Sequence, residues 1–229
     1  MKAIVTGATK GIGKAVALEL AKIGYDVIAC ARNNQDLQDL TNELSNFGVK
    51  VLAIKADMSK KEEVFQFMEK VLVFAPEVHI LVNNVGIFKP GSLLDEADET
   101  FELQQNVNIN AAYYLGKYIG KQMRSQGFGH IFNICSVAGK TPVENAGSYS
   151  VTKAAMLSLN DVLRSELAPH QVKVTAIIPG STYTASWEGT TLDQNKFVQP
   201  EDVAKAIGAI LQLSNGANVD ELVLKPLDF

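Results

Sequence analysis

The sequence predicts an open α/β fold, one parallel sheet of about seven strands with helices on both faces, and three observations carry this. Short apolar runs of strand character alternate with segments of helical periodicity from one end of the chain to the other, the order that builds right-handed βαβ units. A glycine-rich turn, Gly7-Ala8-Thr9-Lys10-Gly11-Ile12-Gly13, separates the first apolar run from the first helical segment. The side chains best suited to chemistry fall at the carboxyl ends of successive strands, where doubly wound sheets hold their ligands.

Lys2–Thr6 reads as a buried strand, and Ile12, Val16, Leu20 and Ile23 then recur at helical spacing until Gly24. Strand, glycine turn and helix in that order can cradle phosphate, because glycine admits close backbone approach and a helix start offers free N–H groups. The spacing is Gly-x-x-x-Gly-x-Gly, not the commoner Gly-x-Gly-x-x-Gly. Tyr25–Ala31 is the second strand and ends on Arg32 and Asn33 with no acid. A dinucleotide site reads the adenosine ribose at this point, and a basic group there accommodates a 2′-phosphate. Arg32 and Lys10 therefore point to NADP(H), with NAD(H) second.

Leu37, Leu40, Leu44 and Phe47 mark a helix closed by Gly48, and Val49–Lys55 a third strand followed by Asp57. Ser59 and Glu62 have the spacing of a capping box. His79–Val82 is a fourth strand running into Asn83-Asn84-Val85-Gly86, amides that could brace neighbouring loops. Phe101–Arg124 is expected as one long helix, and its three asparagines, Asn106, Asn108 and Asn110, are unfavourable enough within a helix to need a reason. His130–Cys135 is a fifth strand with Ser136 at its end, and a helix runs from Ser148 to about Ala168. Val172–Ile178 leads into Pro179-Gly180, Glu201–Leu213 is a further helix, and Glu221–Leu224 a last strand.

In the helix after Ser136, Tyr149 and Lys153 stand four residues apart, hence on one face. A phenol is by itself a poor acid or base near neutrality, with a pKa of about 10. A fixed ammonium nearby favours the phenolate, and a phenol so tuned can exchange a proton with an alcohol oxygen.

Composition bounds the rest. With 229 residues, 47% apolar and 20% charged, the chain suits one soluble domain over 1–229. A net charge of -4 and no basic run argue against nucleic-acid binding. No apolar run reaches the ~20 residues of a membrane span, and cytoplasm is the expected location. Cys30 and Cys135 lie in apolar runs without metal-ligand spacing and are expected in the core, so no metal is expected.

Taken together, TGATKGIG (Thr6 to Gly13), Asp57, NNVG (Asn83 to Gly86), Asn108, Ser136, Tyr149-x-x-x-Lys153 and Pro179-Gly180 make the chain resemble the short-chain dehydrogenase/reductase superfamily over essentially its whole length. The resemblance implies a single-domain Rossmann fold and a Ser-Tyr-Lys mechanism with an assisting Asn. Tyr149 would be the general acid/base, Ser136 would polarise the substrate carbonyl, and Lys153 would tune Tyr149 and hold the nicotinamide ribose. Asn108 would support proton supply to Lys153. The implied cofactor residues are Gly7, Thr9, Lys10, Gly11, Ile12, Gly13, Arg32, Asp57, Met58, Asn84, Gly86, Pro179, Gly180, Thr182 and Thr184, with Tyr149 and Lys153. The expected reaction interconverts a small-molecule carbonyl and a secondary alcohol, in a homo-dimer or homo-tetramer built through the two long helices. One alternative is 3-oxoacyl-[acyl-carrier-protein] reduction; another is a non-catalytic dinucleotide sensor or scaffold.

Three departures from the family pattern stand out. Val85 replaces the usual Ala, the substrate lid over about 181–199 is short, and the terminus VDELVLKPLDF lacks the usual Asp-Gly-Gly. The short lid makes Tyr183 and Trp187 candidate substrate walls.

Overall fold

Seven parallel strands form one sheet in the order β3-β2-β1-β4-β5-β6-β7 in a computed structural model that describes residues 1–187 and 189–228. The strands are β1 Lys2–Thr6, β2 Asp26–Ala31, β3 Val51–Lys55, β4 Ile80–Asn83, β5 Gly129–Ile134, β6 Val172–Pro179 and β7 Glu221–Leu224. The helices between them are α1 Gly11–Lys22, α2 Asn34–Ser45, α3 Lys61–Phe74, α4 Asp98–Gln105, α5 Ala111–Gln126, α6 Gly147–Leu167 and α7 Pro200–Leu211. The order reverses between β1 and β4, the switch point at which doubly wound sheets open a crevice.

Strand alternation sends the side chains of β1 to two separate cores. Ala3 and Val5 pack with Val16 and Leu20 of α1, Leu37 and Leu40 of α2, and Val203 and Ile207 of α7. Ile4, between them in sequence, faces the opposite layer with Phe67 and Val71 of α3, Leu115 and Ile119 of α5, and Leu163 of α6. Because both faces are covered, β1 and β4 are almost wholly apolar, as buried parallel strands must be. In α5, Gly116 lets α6 come close; a Cβ there would lie 2.8 Å from Leu163 Cδ1.

Several local expectations are corrected. The helix expected over Phe101–Arg124 is longer and interrupted: α4 and α5 are joined by a π-helical turn, Asn106–Asn110. That turn explains the asparagines, because Asn110 Nδ2 donates to Asn106 Oδ1 at 2.8 Å and Asn108 is turned inward, 1% exposed. Phe47 lies beyond the end of α2 and is exposed. Ser59 and Glu62 form no capping box: α3 begins after Lys60, Ser59 donates to Asp57 Oδ1, and Glu63 Oε2 accepts the Asp57 N–H. Asp57 thus takes the local turn that Ser59 was expected to anchor. Helix α7 starts on Pro200 and stops at Leu211, and its own capping box pairs Gln199 with Asp202.

Candidate active site

A cleft of about 1020 Å³ runs across the carboxyl ends of the strands. Its first wall is the glycine turn. Gly7 and Gly11 take left-handed backbone angles (φ 62° and 51°), so each favours glycine. Gly13 is fixed by space instead: a Cβ there would sit 2.2 Å from the Gly7 carbonyl oxygen and 2.4 Å from Asn84 Nδ2. Gly13 is therefore behind the turn and does not line the cleft, unlike Gly7, Thr9, Lys10, Gly11 and Ile12. Lys10 caps α1 without any side-chain hydrogen bond, leaving first-turn N–H groups without a capping side chain.

Asn84 locks this turn to β4. Its Nδ2 donates to the carbonyl oxygens of Thr6 (2.8 Å) and Gly7 (3.2 Å), while Thr6 Oγ1 accepts the N–H groups of Asn84 and Val85. Asn84 lines the cleft, but its amide nitrogen serves the turn. Deeper still, Asn83 donates to Asn133 and Asn133 to Asn160, a buried amide ladder joining β4, β5 and α6 that no sequence signal announced.

Charge gathers where β1, β2 and β3 end. Lys10, Arg32, Lys55, Asp36 and Asp57 all line that part of the cleft. Burial opposes ionisation of Asp57, yet the Ser59 N–H and hydroxyl, with Arg32 and Lys60 nearby, hold its carboxyl below the ordinary value. The strand end carries no acid, but the first turn of α2 returns one: Asp36 lies 3.5 Å from Lys10 Nζ. Met58 completes this end. Cys30 and Cys135 also border the cleft, and burial pushes both thiols up to about 12, so neither is a nucleophile near neutrality.

Ser136, Tyr149 and Lys153 meet at the other end. Ser136 follows β5 and its Oγ accepts the Ala138 N–H at 3.2 Å, which orients the hydroxyl and keeps its hydrogen available. One turn of α6 separates Tyr149 from Lys153, whose Nζ is 5.7 Å from the Tyr149 ring centre. Lys153 is 4% exposed, and Nζ donates to the Ile134 carbonyl at 2.9 Å. Phe88 meets Tyr149 edge-on at 5.0 Å. Pro179, Gly180 and Thr182 line the cleft too, and Thr184 packs over Gly11 of the glycine turn.

Asn108 does not line the cleft. Its Oδ1 accepts the Ile87 N–H (2.8 Å), and its Nδ2 donates to the Ile87 carbonyl (3.0 Å) and to Thr152 Oγ1 (3.1 Å). The π turn thus clamps the chain after β4 to the helix that carries Tyr149, as π turns at functional sites often do. A Cβ on Gly86 would lie 3.4 Å from Asn108 Oδ1 and 3.6 Å from Lys153 Nζ, so both groups converge on the bare Gly86 backbone.

Of the two expected lid aromatics, only Trp187 lines the cleft. Tyr183 turns onto Phe197, with ring centres 5.6 Å apart. A bridge between Thr182 and Val198 closes the base of the 181–199 segment, with Val198 N–H donating to Ser181 and Tyr183 N–H to Val198. Phe88, Val143, Gln104 and Ser148 also belong to this end or its support; they carry no motif, and only the fold brings them together.

Residues 1–195 match the family model for short chain dehydrogenase. An uncharacterized oxidoreductase of Staphylococcus aureus is 33% identical over 225 residues, covering 98% of this chain and 96% of that one. Among solved structures, an alcohol dehydrogenase of the archaeon Thermococcus sibiricus complexed with 5-hydroxy-NADP is 28% identical with a TM-score of 0.91, over 99% of this chain and 96% of that one. An L-sorbose reductase from Gluconobacter frateurii complexed with NADPH and L-sorbose is 26% identical with a TM-score of 0.90, over 98% and 94%. Among the described residues no helix is long and apolar enough to cross a membrane.

Proposed function

The chain belongs to the short-chain dehydrogenase family, and on that premise we propose that it is an NADP(H)-dependent oxidoreductase that interconverts a small carbonyl compound and a secondary alcohol. The observation that carries this reading is the convergence of Tyr149, Ser136 and buried Lys153 at one end of a dinucleotide-sized cleft. The opposite end fits a phosphorylated dinucleotide. Gly7 and Gly11 leave the turn without side-chain bulk, the α1 start lacks a side-chain cap, and Arg32 and Lys10 supply positive charge. Relatives solved with 5-hydroxy-NADP and with NADPH support the same choice. When bound, the nicotinamide supplies or accepts the hydride.

The protein's part is to hold the carbonyl and move one proton. Tyr149 Oη gives its proton to the carbonyl oxygen during reduction and takes it back during alcohol oxidation. The Ser136 hydroxyl donates to the same oxygen and orients it. One N–H of Lys153 is committed to Ile134, which fixes the ammonium on the Tyr149 side and leaves two donors for the ribose hydroxyls. Nζ stands 5.7 Å from the Tyr149 ring centre. Asn108 holds Ile87 in place and faces Lys153 across Gly86, which fits it to proton resupply. Thr182 would meet the nicotinamide carboxamide and Thr184, packed over Gly11, would lie near the phosphates. Phe replacing Tyr149 keeps the ring and removes the proton. Tyr149→Phe should bind NADPH like the wild type and lose at least ~100-fold in kcat; unchanged turnover would refute the mechanism.

A further inference from the structure

We propose that the substrate is a neutral, largely apolar ketone or its secondary alcohol, rather than an oxo acid, a phosphorylated carbonyl or a sugar. The inference deepens the dehydrogenase reading and rests on it. Charge is divided unevenly along the cleft. Among the described residues, the charged side chains lining it stand where β1, β2 and β3 end, with one exception, Lys153. That ammonium is buried and bonded to Ile134. The apolar wall around Tyr149 and Ser136 is Phe88, Val137, Val143, Ala146 and Trp187; the hydroxyl side chains of Ser181, Thr182, Thr184 and Ser186 also line the cleft, and Thr182 Oγ1 donates to the Gly180 carbonyl. None of these offers a charge, an imidazole or a carboxamide to a ligand. Two further cations adjoin this wall in sequence: Lys89, next to Phe88, is exposed and does not line the cleft, and Lys140 is turned onto Glu221.

An anionic substrate seated there would lose its hydration with no counter-charge but Lys153, which is already bonded to Ile134, and a polyhydroxylated one would set most of its hydroxyls against apolar wall. An apolar one would cover surface that is now costly to expose. Phe88 and Val143 are 42% and 52% exposed at the mouth, and Leu93 beside them is 59% exposed. The wall is also fixed in advance. Gly91 N–H donates to Asn145 (2.9 Å) and Gly147 N–H to Gly91 (3.1 Å), binding the Phe88 segment to the start of α6. Behind it, Lys89 N–H donates to Gln104 Oε1, Gln104 Nε2 to Ser148 Oγ, and Ser148 Oγ to Glu96 Oε2. Gln104 and Ser148 are both 0% exposed, so the charge of Glu96 is engaged with Ser148 instead of being offered to a ligand.

The test is a set of matched substrates with NADPH: acetophenone against 4-acetylbenzoate, ethyl acetoacetate against acetoacetate, and dihydroxyacetone as the polar neutral case. The corresponding alcohols are run with NADP⁺. The neutral, less polar member of each pair should exceed its acid in kcat/KM by at least about 100-fold, and dihydroxyacetone should be as poor as the acids. Val143→Arg should narrow the acid-to-neutral gap by at least about tenfold. Equal or better use of the acids or of dihydroxyacetone overturns the substrate inference and leaves the dehydrogenase reading intact. So does the absence of any turnover while NADPH still binds by fluorescence titration. Failure to bind either NADPH or NADH is instead the failure of the underlying reading.

Discussion

Cofactor choice turns on the charges around Arg32, and the structure allows their effects to be separated. Arg32 and Lys10 both border the adenosine end of the cleft, but Lys10 is engaged with Asp36 at 3.5 Å, while among the described residues Arg32 forms no ion pair and stands in the more diffuse field of Asp57. A 2′-phosphate should therefore draw chiefly on Arg32. Charge-assisted hydrogen bonds are worth about 1.5–3 kcal/mol. Arg32→Ala should weaken NADPH by about 10- to 150-fold and leave NADH within about twofold. Asp36→Asn should do the reverse on a smaller scale. It releases an exposed ion pair worth about 0.2–1 kcal/mol, so NADPH should tighten by no more than about fivefold. Fluorescence titration of the wild type and both variants with each cofactor, at low and high salt, measures these constants. The NADPH advantage should shrink as salt rises, because the groups concerned are exposed. An equal loss for both cofactors in Arg32→Ala would show that Arg32 supports the fold of the site and reads no phosphate; wild-type preference for NADH would refute the charge argument altogether.

Further outcomes follow from packing and protonation. Gly13→Ala forces a methyl to within 2.2 Å of the Gly7 carbonyl oxygen and 2.4 Å of Asn84 Nδ2, so the turn must shift. The cost should be ~1–3 kcal/mol, a Tm loss of about 2–12 °C, with weakened binding of both NADPH and NADH; thermal scanning that shows an unchanged Tm would refute the close contact. His130, stacked on Phe132 and paired with Thr175 Oγ1, is pushed down from 6.5 to about 3 by burial, with Lys173 adding to the effect. The unfolded chain therefore binds a proton that the folded chain refuses between those values, and stability present above pH 6.5 is lost as pH falls towards 3. By pH 4 the wild type should lose up to about 3 kcal/mol relative to His130→Gln. Urea unfolding of both at pH 7 and pH 4 measures it, and parallel losses in the two proteins would contradict a neutral buried His130.

The sheet was legible because its signal is local and repeated. Most strands announce themselves by a short, largely apolar run, and a seven-strand parallel sheet follows from the alternation with helices. Single-residue features at strand ends were legible too, since the topology places every strand end on one edge. What failed was anything decided by contact across the fold. The π turn at Asn106–Asn110 has the composition of an indifferent helix, and it forms where Asn108 reaches Ile87 and Thr152, both remote in sequence. Asp36 escaped notice because the acid that matters to Lys10 is not at the strand end but a helical turn beyond it. Ser59 resembled a cap, yet Asp57 offers the nearer acceptor and takes the hydrogen bond.

The two ends of the cleft differ in legibility for the same reason that they differ in chemistry. A dinucleotide is bound through backbone and charge at the strand ends, so its site must recur at fixed spacing: Gly7, Gly11, Arg32 and Asp57 follow β1, β2 and β3 in turn. The reacting carbonyl needs the same few groups whatever the molecule attached to it, so Ser136, Tyr149 and Lys153 also keep their spacing. On the proposed reading the remainder of a substrate would meet Phe88, Val143 and Trp187, which come from three separate loops under no common backbone constraint. Substrate discrimination by such a wall is worth only ~1–3 kcal/mol per methylene, too little to demand a fixed residue at a fixed position. What the wall can enforce strongly is the exclusion of charge, because an unpaired buried ion costs far more than a misplaced methylene. Apart from Lys153, which is already bonded to Ile134, no charged side chain lines the cleft beside Tyr149 among the described residues, and on the proposed reading this constrains the substrate more firmly than the identity of any one apolar side chain does.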